Sequence, residues 1–216
     1  MIRLINYILL LLALPLTLQA ETVSVFKFTE QEFETIKIKK VRNSKGKTKY
    51  SLESNENGNF LRAEAEGTAS GLGKEVKINL NKTPFINITW KVEKDLKGID
   101  EKSKKGHDYA ARVFVVKKTG LTALSNKAIN YVFSSNNSIN ESWRSPYTKN
   151  SIDYVLSTTK DNLNEWVTVK ANVKEHFKKL HDLNIEVLTG VAIMTDTDQT
   201  KIKVMSYYQN IYFSSE

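Results

Sequence analysis

The sequence predicts an all-β protein, an antiparallel β-sandwich of the jelly-roll kind with one short helix. Three observations carry this. Apolar and polar side chains alternate with period two along nearly every ordered stretch. The candidate strands, about ten or eleven, recur at regular short intervals between Asn, Gly and Ser turns. Only Val173 to Asp182 has the apolar spacing of a well-formed helix.

Thr22 to Phe28 reads as a first short strand, and Glu30 to Glu34 as one helical turn. Ile36 to Val41 alternates and ends at the turn Asn43-Ser44-Lys45-Gly46. Thr48 to Glu53 and Asn59 to Ala65 flank Asn55-Glu56-Asn57-Gly58, whose Asn-Gly pair signals a hairpin. Phe85 to Glu93 is the cleanest strand. Ile86, Ile88, Trp90 and Val92 share one face, and Asn87, Thr89, Lys91 and Glu93 the other. Trp90, among aliphatic neighbours, belongs to the core. Lys94 to Gly106 alternates in charge and reads as a solvated loop.

Asp108 to Val116 is apolar on both faces and should be a central strand. Asp108 and Arg112 share one face, and a buried arginine needs a partner. Lys127 to Phe133, Ile152 to Ser157, and Glu165 to Ala171 are further strands. Asn172 is a plausible N-cap for the helix, on which His176 and His181 lie five apart, poor spacing for a shared metal. Glu186 to Thr195 and Lys203 to Phe213 finish the chain as strands. Asn87-Ile88-Thr89, Asn136-Asn137-Ser138 and Asn140-Glu141-Ser142 match glycosylation sequons, which arise often by chance in an Asn- and Ser-rich chain.

The chain of 216 residues is long enough for a sizeable core. Residues 1–20 have the pattern of a secretory signal: Arg3, an apolar run from Ile8 to Leu14, Pro15, and Ala20 before the cut. Residues 21–216 then form a single β-sandwich domain, periplasmic or secreted, with no stable membrane insertion after cleavage. The full chain has 32 basic and 24 acidic residues, and the signal removes one basic residue, so the mature charge is 31 − 24 = +7. The lysines are scattered among acids, which suits a soluble surface better than a nucleic-acid partner. No cysteine is present, which excludes disulfides, thiolate metal sites and cysteine catalysis.

Gly190 to Thr200 concentrates the chemistry. An apolar run ends in Asp196-Thr197-Asp198, which places carboxylates at the rim of a core. Such a turn suits a hard cation, calcium above all, with Asp196 and Asp198 as ligands. It also suits a polar ligand, or pairing of Asp196 or Asp198 with Arg112, and a plain polar turn is the bland alternative. The long loop Ser134 to Lys149 carries Trp143 and Tyr147, residues that stack on the flat face of a pyranose. The alternative for Trp143 is that it folds back and caps the core. The ligand-binding candidates are Trp143, Tyr147, Tyr131, Asp108, Arg112, Asp196 and Asp198. No Gly-rich phosphate loop, Ser-His-Asp set or His-rich metal motif appears.

Three segments together carry a family resemblance. They are Gly106 to Val116, then Ala128 to Phe133 with Ser145-Pro146-Tyr147-Thr148, then Gly190 to Thr200. In this order they resemble domain-of-unknown-function family 3047, a group of secreted bacterial proteins. The departures are His107, where the family often has a second acid, and Phe133, where it often has Trp. The resemblance implies, by analogy, a fold like the galactose-binding-like jelly rolls of carbohydrate-binding modules. It implies no activity.

Three function classes follow. The favoured one is a non-catalytic, monomeric binding module for a glycan or another polyhydroxylated compound. The second is a structural or interaction protein of the cell envelope with a buried Asp/Arg network. The third is a carboxylate-dependent hydrolase or lyase using Asp108, Asp196 and Asp198 with Arg112. A site open to a cleft speaks for the first and third, and a sealed network for the second.

Overall fold

A computed structural model describes residues 20–122 and 125–216. The expected signal segment lies outside the described residues, apart from Ala20. In chain order the elements are β1 (Thr22–Phe26), α1 (Glu30–Thr35), β2 (Ile38–Lys40), β3 (Lys49–Asn55), β4 (Gly58–Glu66) and β5 (Ala69–Asn79). There follow β6 (Phe85–Lys94), β7 (Tyr109–Lys117), β8 (Lys127–Ser134), β9 (Ser142–Arg144) and β10 (Ser151–Thr158). The chain ends with α2 (Thr159–Asn162), β11 (Val167–Asn172), α3 (Val173–His181), β12 (Val187–Asp196) and β13 (Lys203–Ser214).

The strands form two sheets. The first runs β11-β6-β13-β4-β3, with β1 on the far half of β13; the second runs β2-β5-β12-β7-β8-β10-β9. Among the described residues pairing is antiparallel with one exception. β10 lies parallel to β8, because the chain between them crosses back over residues 135–150 before entering β10. Inward residues of both sheets meet in one core, with Trp90, Tyr131, Phe133, Phe177, Phe213 and Ile193 among its fully buried side chains. Trp90 is a core residue as its aliphatic neighbours require, and its indole donates to Ser157 Oγ at 2.9 Å.

The hairpin at Asn57-Gly58 forms, with Asn55 opposite Gly58 and Gly58 at φ +107°, a conformation that glycine adopts without strain. Asn172 caps α3 by accepting from the Glu175 amide at 3.1 Å. Among the described residues the helices number three rather than one, since the turn at Glu30 closes into α1 and four residues after β10 form α2. Asn87, in the first sequon, is buried and donates to Ser214 Oγ, so no glycan reaches it.

Three segments depart from the sequence expectation, the first being the expected loop Ser134 to Lys149, which contains β9 paired with β10. β5, an eleven-residue strand between β2 and β12, was not legible, because Gly71 and Gly73 interrupt its apolar alternation. At Gly71 a Cβ would stand 2.9 Å from the Ile193 carbonyl oxygen, so the glycine permits the close strand approach. The 94–106 loop is not simply solvated. Leu96 and Glu101 are both about 1% exposed. Glu101 accepts from Ser134 Oγ (2.5 Å), the Ser135 amide (2.8 Å), Asn137 Nδ2 (2.7 Å) and Asn136 Nδ2 (3.2 Å). A carboxylate so fully satisfied pins two loops together.

Candidate functional site

The site lies on the face of the second sheet that turns away from the core. Ala111, Val113 and Val115 of β7 point inward, which sends Arg112 and Phe114 outward. Their neighbours on β8 follow the same alternation, with Ile129, Tyr131 and Phe133 inward and Asn130 outward. Near its start β7 slips register against β12. Met194 stands opposite Arg112 but Asp196 stands opposite Tyr109. The bulge buries both Ala110 and Ala111 in the core and brings Tyr109 beside Arg112, whose guanidinium lies 5.2 Å from its ring centre. Phe114 flanks the same guanidinium at 5.1 Å.

Arg112 reaches Asp196. Its Nη2 donates to Asp196 Oδ2 at 2.8 Å, and both side chains are almost completely buried. The expected pairing of Arg112 with the Asp196 turn is therefore present. Burial works to lower the pKa of Arg112, but Asp196 and Asp153 raise it above its ordinary value and the guanidinium stays charged. Burial pushes the Asp196 carboxyl up to about 8; Arg112 opposes this, and Asp108 and Asp198 add to it. Asp196 Oδ1 and Arg112 Nε are buried without a hydrogen-bond partner.

Asp108, fully buried, accepts from the amides of Gln199 (3.1 Å) and Thr200 (2.6 Å). It thereby holds the turn after β12. Thr197 secures the other side, its Oγ1 accepting from the Gly67 amide at 2.9 Å. Asp108, Asp196 and Asp198 come together, with one carboxylate oxygen from each within 4.8 Å of the others.

His107 and Asp153 form a second buried pair, 2.8 Å apart through His107 Nε2. Asn130 Nδ2 donates to the other Asp153 oxygen at 2.5 Å. Sequence reasoning missed Asp153 and Asn130. The signal for Asp153 was a lone acid inside the apolar run Ile152 to Leu156, where burial demands partners.

A pocket of about 350 Å³ is lined among others by His107, Arg112, Phe114, Tyr147, Asp196 and Asp198, while Asp108 and Asp153 lie buried behind this lining. Of the candidates, Tyr147 is 54% exposed, packs its ring edge-on to His107 and donates its hydroxyl to the Lys104 carbonyl at 2.8 Å. Burial, then Asp198, Asp108 and Asp196, raise its phenol pKa, as its place beside the three acids requires. Trp143 is not in this lining. It sits on β9, half-buried against Tyr109, Val132 and Val155, so it packs on the outside of the sheet as a cap. Tyr131 belongs to the core, since alternation along β8 turns it inward, where its hydroxyl meets His176 Nδ1 at 3.0 Å.

The two packed sheets place the protein among jelly-roll β-sandwiches, the fold it shares with carbohydrate-binding modules. The family 30 carbohydrate-binding module of a cellulosomal cellulase of Clostridium thermocellum matches with TM-score 0.52 and 8% identity, over 91% of this chain and 98% of that one. Another family 30 carbohydrate-binding module matches with TM-score 0.51 and 8% identity, over 91% of this chain and 88% of that one. At such identity the likeness concerns the fold. The family described as "Protein of unknown function (DUF3047)" matches residues 34–212, and the chain belongs to it. No curated protein matches.

Proposed function

We propose that this protein is an exported binding module whose outer-face pocket takes a glycan or another polyhydroxylated compound. The pocket carries the proposal. A fixed arginine, two carboxylates and an imidazole converge on one side, while the exposed ring of Tyr147 stands at its edge. Sugar hydroxyls both donate and accept, and such a mixed wall offers both. The aromatic edge offers a surface for the apolar face of a pyranose. The shared fold with carbohydrate-binding modules supports the same class of ligand by analogy. Export rests on residues 1–20, and no helix among the described residues is long and apolar enough to cross a membrane.

A glycan array tests the proposal. Binding is expected for at least one polyhydroxylated ligand, and Tyr147→Ala should weaken it about tenfold, the worth of a stacking contact. Binding unchanged by Tyr147→Ala and by Gln199→Ala, at the pocket rim, would place the ligand elsewhere. An array without hits would remove the glycan class.

The Asp196 carboxyl, lifted to about 8, favours a second reading, a carboxylate-dependent hydrolase or lyase. A hit from the array that is cleaved on incubation, with cleavage lost in Asp198→Asn, would select that reading.

A further inference from the structure

We infer that Asp108, Asp196 and Asp198 hold a calcium-sized divalent cation at the base of the pocket. One carboxylate oxygen from each lies within 4.8 Å of the other two. Calcium binds oxygen at about 2.3–2.6 Å, so oxygens on opposite sides of the ion stand about 4.6–5.2 Å apart. The three acids therefore already stand within one calcium coordination sphere. Magnesium, with bonds of about 2.0–2.1 Å, needs a tighter and more regular cage.

An independent observation points to a missing partner. Asp196 is 1% exposed, and Arg112 occupies only its Oδ2. Oδ1 is buried and accepts no hydrogen bond. A buried carboxylate oxygen without a partner is costly, and a bound cation removes that cost. Thr200 Oγ1, in the same turn, is also buried and unpartnered.

Charge balance agrees. With all three carboxyls ionised, the form that ligates a cation, they and the Arg112 guanidinium sum to −3 + 1 = −2, which a divalent ion neutralises. Lys201, the other cation on this turn, donates its ammonium to the Asp198 backbone carbonyl rather than to a carboxylate. The turn is preformed, because Asp108 already takes the Gln199 and Thr200 amides. Asp198 is only half-buried and lines the pocket, so water can complete the six to eight oxygens that calcium takes. The ion site requires no glycan and stands or falls apart from the ligand proposal.

The test is calorimetric titration of the EDTA-treated, chelator-free mature protein with calcium chloride, and separately with magnesium chloride, without any sugar. A saturable single-site heat is expected for calcium. The melting temperature should rise by about 5 °C or more when calcium stands a hundredfold above its Kd. Asp198→Asn should weaken calcium at least about tenfold, by loss of one charged ligand. As a second readout, terbium bound in this place should luminesce when Tyr147 and Tyr109 are excited, and calcium should quench the signal by displacement. Absence of both heat and melting shift at millimolar calcium would overturn the site. So would calcium binding that Asp198→Asn leaves intact, or magnesium binding as tight as calcium.

Discussion

Arg112 on β7 and Asp196 at the end of β12 form a buried ion pair of 2.8 Å, roofed by the rings of Tyr109 and Phe114. The pair joins two strands at the position where their register slips. It therefore stabilises the bulge as well as shaping the pocket. Arg112 Nη2 also donates to Met194 Sδ, while Arg112 Nε and Asp196 Oδ1 remain unpaired.

Arg112→Ala should destabilise the protein by about 3 kcal/mol or more, because it leaves Asp196 buried with neither oxygen paired and opens a void between two rings. Arg112→Lys should recover little, since an ammonium cannot lie flat between Tyr109 and Phe114 as a guanidinium does. Urea unfolding of both variants measures this. A midpoint unchanged in Arg112→Ala would show that the pair contributes nothing to stability.

Trp143 and Tyr147 should separate stability from binding. Trp143→Ala exposes Tyr109, Val132 and Val155 and should cost about 2 kcal/mol of stability. Tyr147→Ala removes a half-exposed ring and should leave the melting temperature within about 2 °C of the parent. Thermal melts of the two variants, run beside the glycan array, decide whether the partition holds.

Glu101→Ala should loosen residues 94–106 and 134–137 together. It strands the Ser134, Ser135, Asn136 and Asn137 donors, at a cost of about 3 kcal/mol. Hydrogen exchange should show faster exchange at the Ser135 amide. Exchange there at the parent rate would mean that Glu101 does not hold the loop.

Stability should fall on acidification through His176. Burial against the core, with Lys179 nearby, lowers its pKa from 6.5 to about 4. The folded form therefore binds fewer protons than the unfolded chain between those values. Its contribution is present above pH 6.5 and is lost as pH falls toward 4. Solvent reaches part of the ring, which screens the effect to about 1–2 kcal/mol. His176→Phe should flatten this part of the pH–stability curve; a curve of unchanged slope would assign the dependence to other groups.

Export makes its own prediction. The mature protein recovered from the cell envelope should begin at Glu21 by mass spectrometry, after removal of residues 1–20. An intact Met1 to Ala20 segment would contradict it.

Local pattern determined the β class, the cleanest strands and the capped helix. Alternation at Ile86, Ile88, Trp90 and Val92 reports which face is buried without knowledge of the partner sheet. Alternation put Asp108, Ala110 and Arg112 on one face, and the bulge overturned this by turning Ala110 into the core and setting Tyr109 beside Arg112; the pairing with the Asp196 turn held, because a buried guanidinium must find a carboxylate. Tertiary structure alone decided the rest. Gly71 and Gly73 hide β5, whose place depends on close approach to β12 rather than on its own side chains. The parallel β8–β10 pair depends on the path of a crossover that no local period encodes. The match of Asp153 with His107, the four donors on Glu101 and the convergence of three aspartates join residues distant in the chain. Their partners follow from strand order, and strand order is a property of the assembled sheets.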